Sequence, residues 1–144
     1  MMIVVDASVV LASCLPSEIA HTSAQSALRY WVARNDILCA PPLLHAELTA
    51  VFRKMVYIGR LDALSAGQLL QLAIQLPIQI IDDRTIYPRA LNLANTYGQP
   101  RAYDTQYLAV AELVNGILWT ADERFANAVT SSTFVRHIQT FVDM

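Results

Sequence analysis

Short apolar runs rich in β-branched residues alternate along this chain with longer segments of helical period, and no other feature restricts its possible folds as much. The runs are Ile3-Val4-Val5, Ile37-Leu38-Cys39-Ala40, Ile78-Gln79-Ile80-Ile81 and Ile117-Leu118-Trp119-Thr120. Each reads as a strand buried on both faces, as in a parallel sheet covered by helices. Between them, helical periodicity covers Val9 to Leu15, His21 to Arg34, Leu43 to Tyr57, Leu64 to Leu76, Thr85 to Tyr97 and Asp104 to Asn115. Punctuation agrees: Pro41-Pro42 precedes a helix that Gly59 follows, Pro77 opens the third strand, and Gly98 with Pro100 separates two helices. Phe134 to Ile138 reads as a further edge strand. The expectation is an α/β fold with a central parallel sheet of four to five short strands flanked by helices.

A chain of 144 residues without repeat, low-complexity tract or linker is expected to be one domain, residues 1–144. Its 55% hydrophobic and 15% charged content excludes a disordered or solvating protein and suggests an interface as well as a core. A formal net charge of -2 provides no basic footprint, so a nucleic-acid substrate would have to be gripped locally. Met1 to Val5 lacks the basic region of a secretory signal, and charges interrupt every window approaching the ~18 apolar residues of a membrane span. A soluble, cytoplasmic protein that does not engage the membrane is expected. Cys14 and Cys39, without paired spacing, read as reduced, buried side chains.

Ligands of open α/β sheets bind beyond the carboxyl ends of the strands. Asp6 follows the first run directly, and Asp122 follows the fourth just as closely. Glu47 lies early in the helix after the second run, and Asp104 opens the helix after Pro100. All four can converge on one mouth. Helix capping is the plain alternative for an aspartate at such a position. Glu47 resists a plain account, because it shares the apolar stripe of its helix with Leu44, Leu48, Val51 and Met55. Asp104 shares one with Tyr107, Leu108 and Ala111.

Burying unpaired carboxylates costs several kcal/mol, and one lysine, Lys54, with nine scattered arginines offers no clear set of counter-ions. A divalent cation does, and an oxygen-only donor set suits Mg²⁺ or Mn²⁺ better than zinc. His45 stands about 200° around the helix from Glu47 and cannot share its metal, while His21 and His137 have no spaced partner. Asp82 and Asp83 also follow a strand, and are read as loop and cap residues.

At these residues the sequence resembles the PIN-domain family and, within it, the VapC-type toxins of toxin–antitoxin pairs. The resemblance spans nearly the whole chain. It rests on Val4-Val5-Asp6-Ala7-Ser8-Val9-Val10, Leu44-His45-Ala46-Glu47-Leu48, Tyr103-Asp104-Thr105-Gln106-Tyr107-Leu108-Ala109-Val110-Ala111-Glu112 and Thr120-Ala121-Asp122-Glu123-Arg124-Phe125. By that resemblance Asp6, Glu47, Asp104 and Asp122 are the catalytic and metal-binding carboxylates, and Ser8 and Thr120 are supporting hydroxyls. Asp82 and Asp83 match no site position.

The resemblance implies a Mg²⁺- or Mn²⁺-dependent endoribonuclease that hydrolyses RNA phosphodiester bonds with a metal-activated water. It also implies a homodimer silenced by a cognate antitoxin protein. Arg101 and Arg124, near the acids in sequence, are candidate phosphate contacts; Leu28, Tyr30 and Trp31 are candidate partner-facing residues or core. Two competing readings are a receiver-like signalling module and a non-catalytic PIN module that only binds protein or RNA. The first wants a lysine after its last core strand, where this chain has none, and the second would be expected to have lost a carboxylate.

Overall fold

The structure, a computed structural model, describes residues 1–142. Five strands, β1 (Met2–Val5), β2 (Ile37–Ala40), β3 (Ile78–Ile80), β4 (Ile117–Thr120) and β5 (Val135–His137), form one sheet in the order β3-β2-β1-β4-β5. Every pairing is parallel. The helices are α1 (Ala7–Cys14), α2 (His21–Ala33), α3 (Leu43–Tyr57), α4 (Ala63–Ile74), α5 (Ile86–Thr96), α6 (Asp104–Val114) and α7 (Glu123–Ala128). A single 3-10 turn, Ile138–Thr140, follows β5.

Burial explains the pattern of strands. Ile3, Val4 and Val5 of β1, Leu38, Cys39 and Ala40 of β2, and Leu118 of β4 lie in the main core with Val9, Leu44, Leu48, Leu108, Val110 and Phe125 from the helices. Leu15, Phe52 and Ala66 make a smaller satellite cluster. Between α6 and β4 the backbone turns through Asn115 in the left-handed region at φ 52°. A side chain on Gly116 would then meet the carbonyl oxygen of Met2 at 2.5 Å, so this close approach of the turn to β1 requires glycine.

Several expectations need correction. The third strand ends at Ile80 and is not buried on both faces: it edges the sheet, Gln79 is exposed, and Ile78 and Ile80 are only half-buried. Of the two readings of Leu28 and Trp31, partner-facing or core, the core one holds; Trp31 packs against Trp119 and Phe141 with ring centroids 5.6 and 5.5 Å apart. Tyr30 is half-buried and stacks edge-on against Phe141. Of the two free cysteines, Cys39 is buried and Cys14 only half so. α7 and the 3-10 turn have no counterpart in the periodicity, being too short to display one. No helix among the described residues is long and apolar enough to cross a membrane.

Candidate active site

Strand order places the site. From β1 the chain passes to β2 on one side, and from β4 to β5 on the other, so the order of strand addition reverses between β1 and β4. Loops leaving two such strands diverge and open a crevice beyond their carboxyl ends. The register pairs Val5 with Trp119, which brings the loops after these strands together. Asp6 leaves one and Asp122 the other.

Both aspartates cap helices, as their position after a strand suggests. Asp6 accepts from the Val9 amide at 3.2 Å, and Asp122 from the Phe125 amide at 3.0 Å. Capping and site membership are compatible, because each carboxylate has a second oxygen. Asp6, 3% exposed, also accepts from the Ser8 hydroxyl. That hydroxyl accepts in turn from the Ala121 amide at 2.8 Å. The Ser8 and Thr120 hydroxyls lie 3.3 Å apart, and the Thr120 oxygen accepts from the Asp122 amide at 3.0 Å. Ser8 and Thr120 thus staple the β1 and β4 loops to each other and to Asp6.

Glu47 and Asp104 come from α3 and α6, on turns facing the same crevice. The Tyr107 hydroxyl donates to Glu47 at 2.6 Å. Tyr107 lies one turn after Asp104, so its ring packs in the core, 1% exposed, while its hydroxyl reaches the site. Sequence reasoning placed Tyr107 only on an apolar stripe; its spacing from Asp104 was the available signal. Asp6, Glu47, Asp104 and Asp122, with Ser8 and Tyr107, line one cavity of about 190 Å³.

The electrostatics follow from burial. Desolvation pushes the Asp6 carboxyl up to about 7 despite the hydroxyl donors, with the charge of Asp104 adding to the rise. Glu47 is raised by burial and, less strongly, by Asp104, against the Tyr107 hydrogen bond that favours its charged form. Asp104 is raised by burial and then by the charge of Asp122, with Arg124 opposing. Among the described residues no ion pair reaches any of the four. Among the described residues no group of three acidic, histidine or cysteine side chains is gathered closely enough to hold a metal ion. The site is therefore an open acidic cavity, not a ready-made cage. That fits Mg²⁺, which keeps several waters and is held by one or two carboxylates together with substrate phosphate.

Two further cavities adjoin it. One, of about 430 Å³, shares Glu47 and Asp104 and adds Gln99, Pro100, Arg101, Tyr103 and Arg124. The other, of about 280 Å³, shares Ser8 and carries Glu18, Glu123 and His137.

The remaining candidates lie elsewhere or serve the fold. His21 Nδ1 contacts the Ala12 carbonyl at 2.7 Å, and His45 lines none of these three cavities. Asp83 caps the turn before α5, accepting from the Thr85 amide at 2.8 Å and from its hydroxyl at 2.7 Å; Asp82 is exposed. Lys54 is exposed on α3, outside the site.

Solved structures of the same architecture exist. PAE2754 of Pyrobaculum aerophilum superimposes with a TM-score of 0.72 at 21% identity, over 97% of this chain and 85% of its own. VapC20 of Mycobacterium tuberculosis, described as a sarcin–ricin-loop-cleaving toxin, superimposes with a TM-score of 0.62 at 14% identity, over 88% of this chain and 95% of its own. At such identities the likeness concerns the fold. No curated protein sequence matches the chain. The sequence profile of the PIN domain matches residues 3–129, which takes in all four carboxylates and all but the last strand. By that match, and by a parallel sheet of the same architecture, this chain belongs to the PIN-domain family.

Proposed function

We propose that this chain, acting as a single PIN unit over residues 1–144, is a Mg²⁺- or Mn²⁺-dependent endoribonuclease. Asp6, Glu47, Asp104 and Asp122 are its metal-binding and catalytic set. One observation carries the reading: four carboxylates without an ion-pair partner among the described residues line a single cavity where the strand order reverses. Such a concentration of negative charge calls for a cation, and the all-oxygen donors suit a hard one. Membership of the PIN family supports a nuclease, and VapC20, a fold-mate described as a sarcin–ricin-loop-cleaving toxin, supports RNA as the substrate.

When bound, the divalent ion supplies charge neutralisation at the scissile phosphate and a lowered pKa for the attacking water. The chain's own residues do the rest. Ser8 and Thr120 hold Asp6 in one orientation, and Tyr107 does so for Glu47. Arg101 and Arg124 line the adjoining cavity, which supports a role for them in meeting phosphate oxygens. We further read the chain as the toxin of a toxin–antitoxin pair, with a cognate antitoxin and a second copy of itself as partners.

The test combines a metal titration with an RNA-cleavage assay. Mg²⁺ or Mn²⁺ should raise the unfolding temperature of the wild type and switch on endonucleolytic cleavage. Asp104→Asn should lose both, with cleavage falling by more than the ~10- to 100-fold expected of an outer-shell change. Full cleavage in EDTA, or by the Asp104→Asn protein, would overturn the assignment.

A further inference from the structure

We propose that Tyr103 is a base-stacking residue, and that its ring, with Arg101 and Arg124, forms a nucleotide subsite on one flank only of the acidic cavity. The inference rests on the ribonuclease reading above and names the part of that site which grips the strand.

Four observations converge. Tyr103 is 51% exposed, although it immediately precedes Asp104 at the start of α6. Among the described residues its ring stacks on no aromatic group, no guanidinium covers it, and its hydroxyl forms no hydrogen bond. A large ring left bare at the mouth of a site makes a platform for a planar ligand, and every nucleobase has a face to offer. Because the same helix start carries Asp104, the platform stands at a fixed offset from the reacting centre.

The 430 Å³ cavity it lines is large enough for a small organic ligand, typically ~300–1,000 Å³. Arg101 and Arg124 line the same cavity, are exposed, and form no ion pair among the described residues. Two free guanidiniums beside an aromatic face match the alternation of phosphate and base along a strand. The other adjoining cavity, next to Ser8, carries Glu18, Glu123 and His137 but no arginine, lysine or aromatic platform. Of the two cavities, only the one at Tyr103 pairs guanidiniums with an aromatic ring. A chain of net charge -2 grips a polyanion only where its cations gather, and at this mouth that is the Tyr103 side.

The experiment reads KM, kcat and direct binding with a fluorescein-labelled single-stranded RNA. Binding is measured by anisotropy in EDTA, where cleavage is off. Tyr103→Ala should raise KM and weaken binding by about 10- to 100-fold with kcat little changed, the size expected for loss of one stacked base. Tyr103→Phe should restore both. Arg101→Ala and Arg124→Ala should each lower the slope of log affinity against log salt by about 0.7. Trimming nucleotides from one side of the cut should raise KM, and trimming the other side should not.

Unchanged KM and binding in Tyr103→Ala, a loss confined to kcat, or a Tyr103→Phe protein as poor as Tyr103→Ala would overturn the proposal. Should Tyr103→Ala fail to fold, Tyr103→Leu, which keeps apolar cover without an aromatic face, gives the same reading. A wild type that cleaves no RNA would end the ribonuclease reading alone. In that event the anisotropy arm still decides the role of Tyr103.

Discussion

Replacing Asp6 by asparagine should stabilise the metal-free protein at neutral to alkaline pH while ending its response to divalent ions. Asp6 is buried, and its carboxyl is raised from 3.8 to about 7, chiefly by desolvation. Between those values the folded state keeps a proton that the unfolded state has released. Stability from this group is therefore fully present below pH about 4, declines as pH rises, and is lost above pH about 7. A shift of roughly 3 units at about 1.4 kcal/mol per unit gives a cost near 4 kcal/mol at pH 8. Glu47 and Asp104 are shifted in the same direction and steepen the decline.

The substituted amide is neutral and caps a helix about as well as aspartate, and its oxygen can still accept from Val9 and Ser8. Urea unfolding in EDTA across pH 4.5 to 8.5, followed by the fluorescence of buried Trp31 and half-buried Trp119, checks this. The variant should exceed the wild type by only about 1 kcal/mol at the acid end and by up to about 4 kcal/mol at the other. Mg²⁺ at 100 times its dissociation constant should add about 2.7 kcal/mol to the wild type and nothing to the variant. An Asp6→Asn protein no more stable than wild type at any pH, with the same slope, would refute the argument and show the Asp6 charge to be well solvated.

Tyr107→Phe deletes the only hydrogen-bond donor among the described residues to Glu47, so unfolding titrations should register a loss of about 1–3 kcal/mol. Because that hydrogen bond holds the Glu47 carboxyl down, its removal should also move the acid limb of the cleavage pH profile to higher pH. Ser8→Ala removes the contacts to Asp6, Thr120 and the Ala121 amide; calorimetric titration should find Mg²⁺ bound ~10- to 100-fold more weakly, with the fold intact by circular dichroism.

Much of the architecture was legible in the residues alone. β-branched runs and periods of 3.6 are local signals that depend only on which side chains must be covered, so the all-parallel sheet and six of the helices could be read directly. The carboxylates were equally visible, since acids directly after strands or on an apolar stripe conflict with plain burial. Local pattern could not show that Ile78 and Ile80 would sit at an edge, nor that Leu28 and Trp31 would be spent on the chain's own core. An apolar side chain looks the same whether another chain or its own sheet covers it.

Pairing over long separations was invisible for the same reason. The hydroxyl contact of Ser8 with Thr120 spans 112 positions, and the bond from Tyr107 to Glu47 spans 60. So was the gathering of Arg101 and Arg124 with Tyr103 in one adjoining cavity, and of Glu18 and Glu123 in the other. The sequence thus determined that four acids at strand ends or on inward helix faces and a parallel sheet must coexist. Only the strand order, with its reversal between β1 and β4, decided that the acids share one cavity, because distance through space is set by which strands become neighbours and not by their separation along the chain.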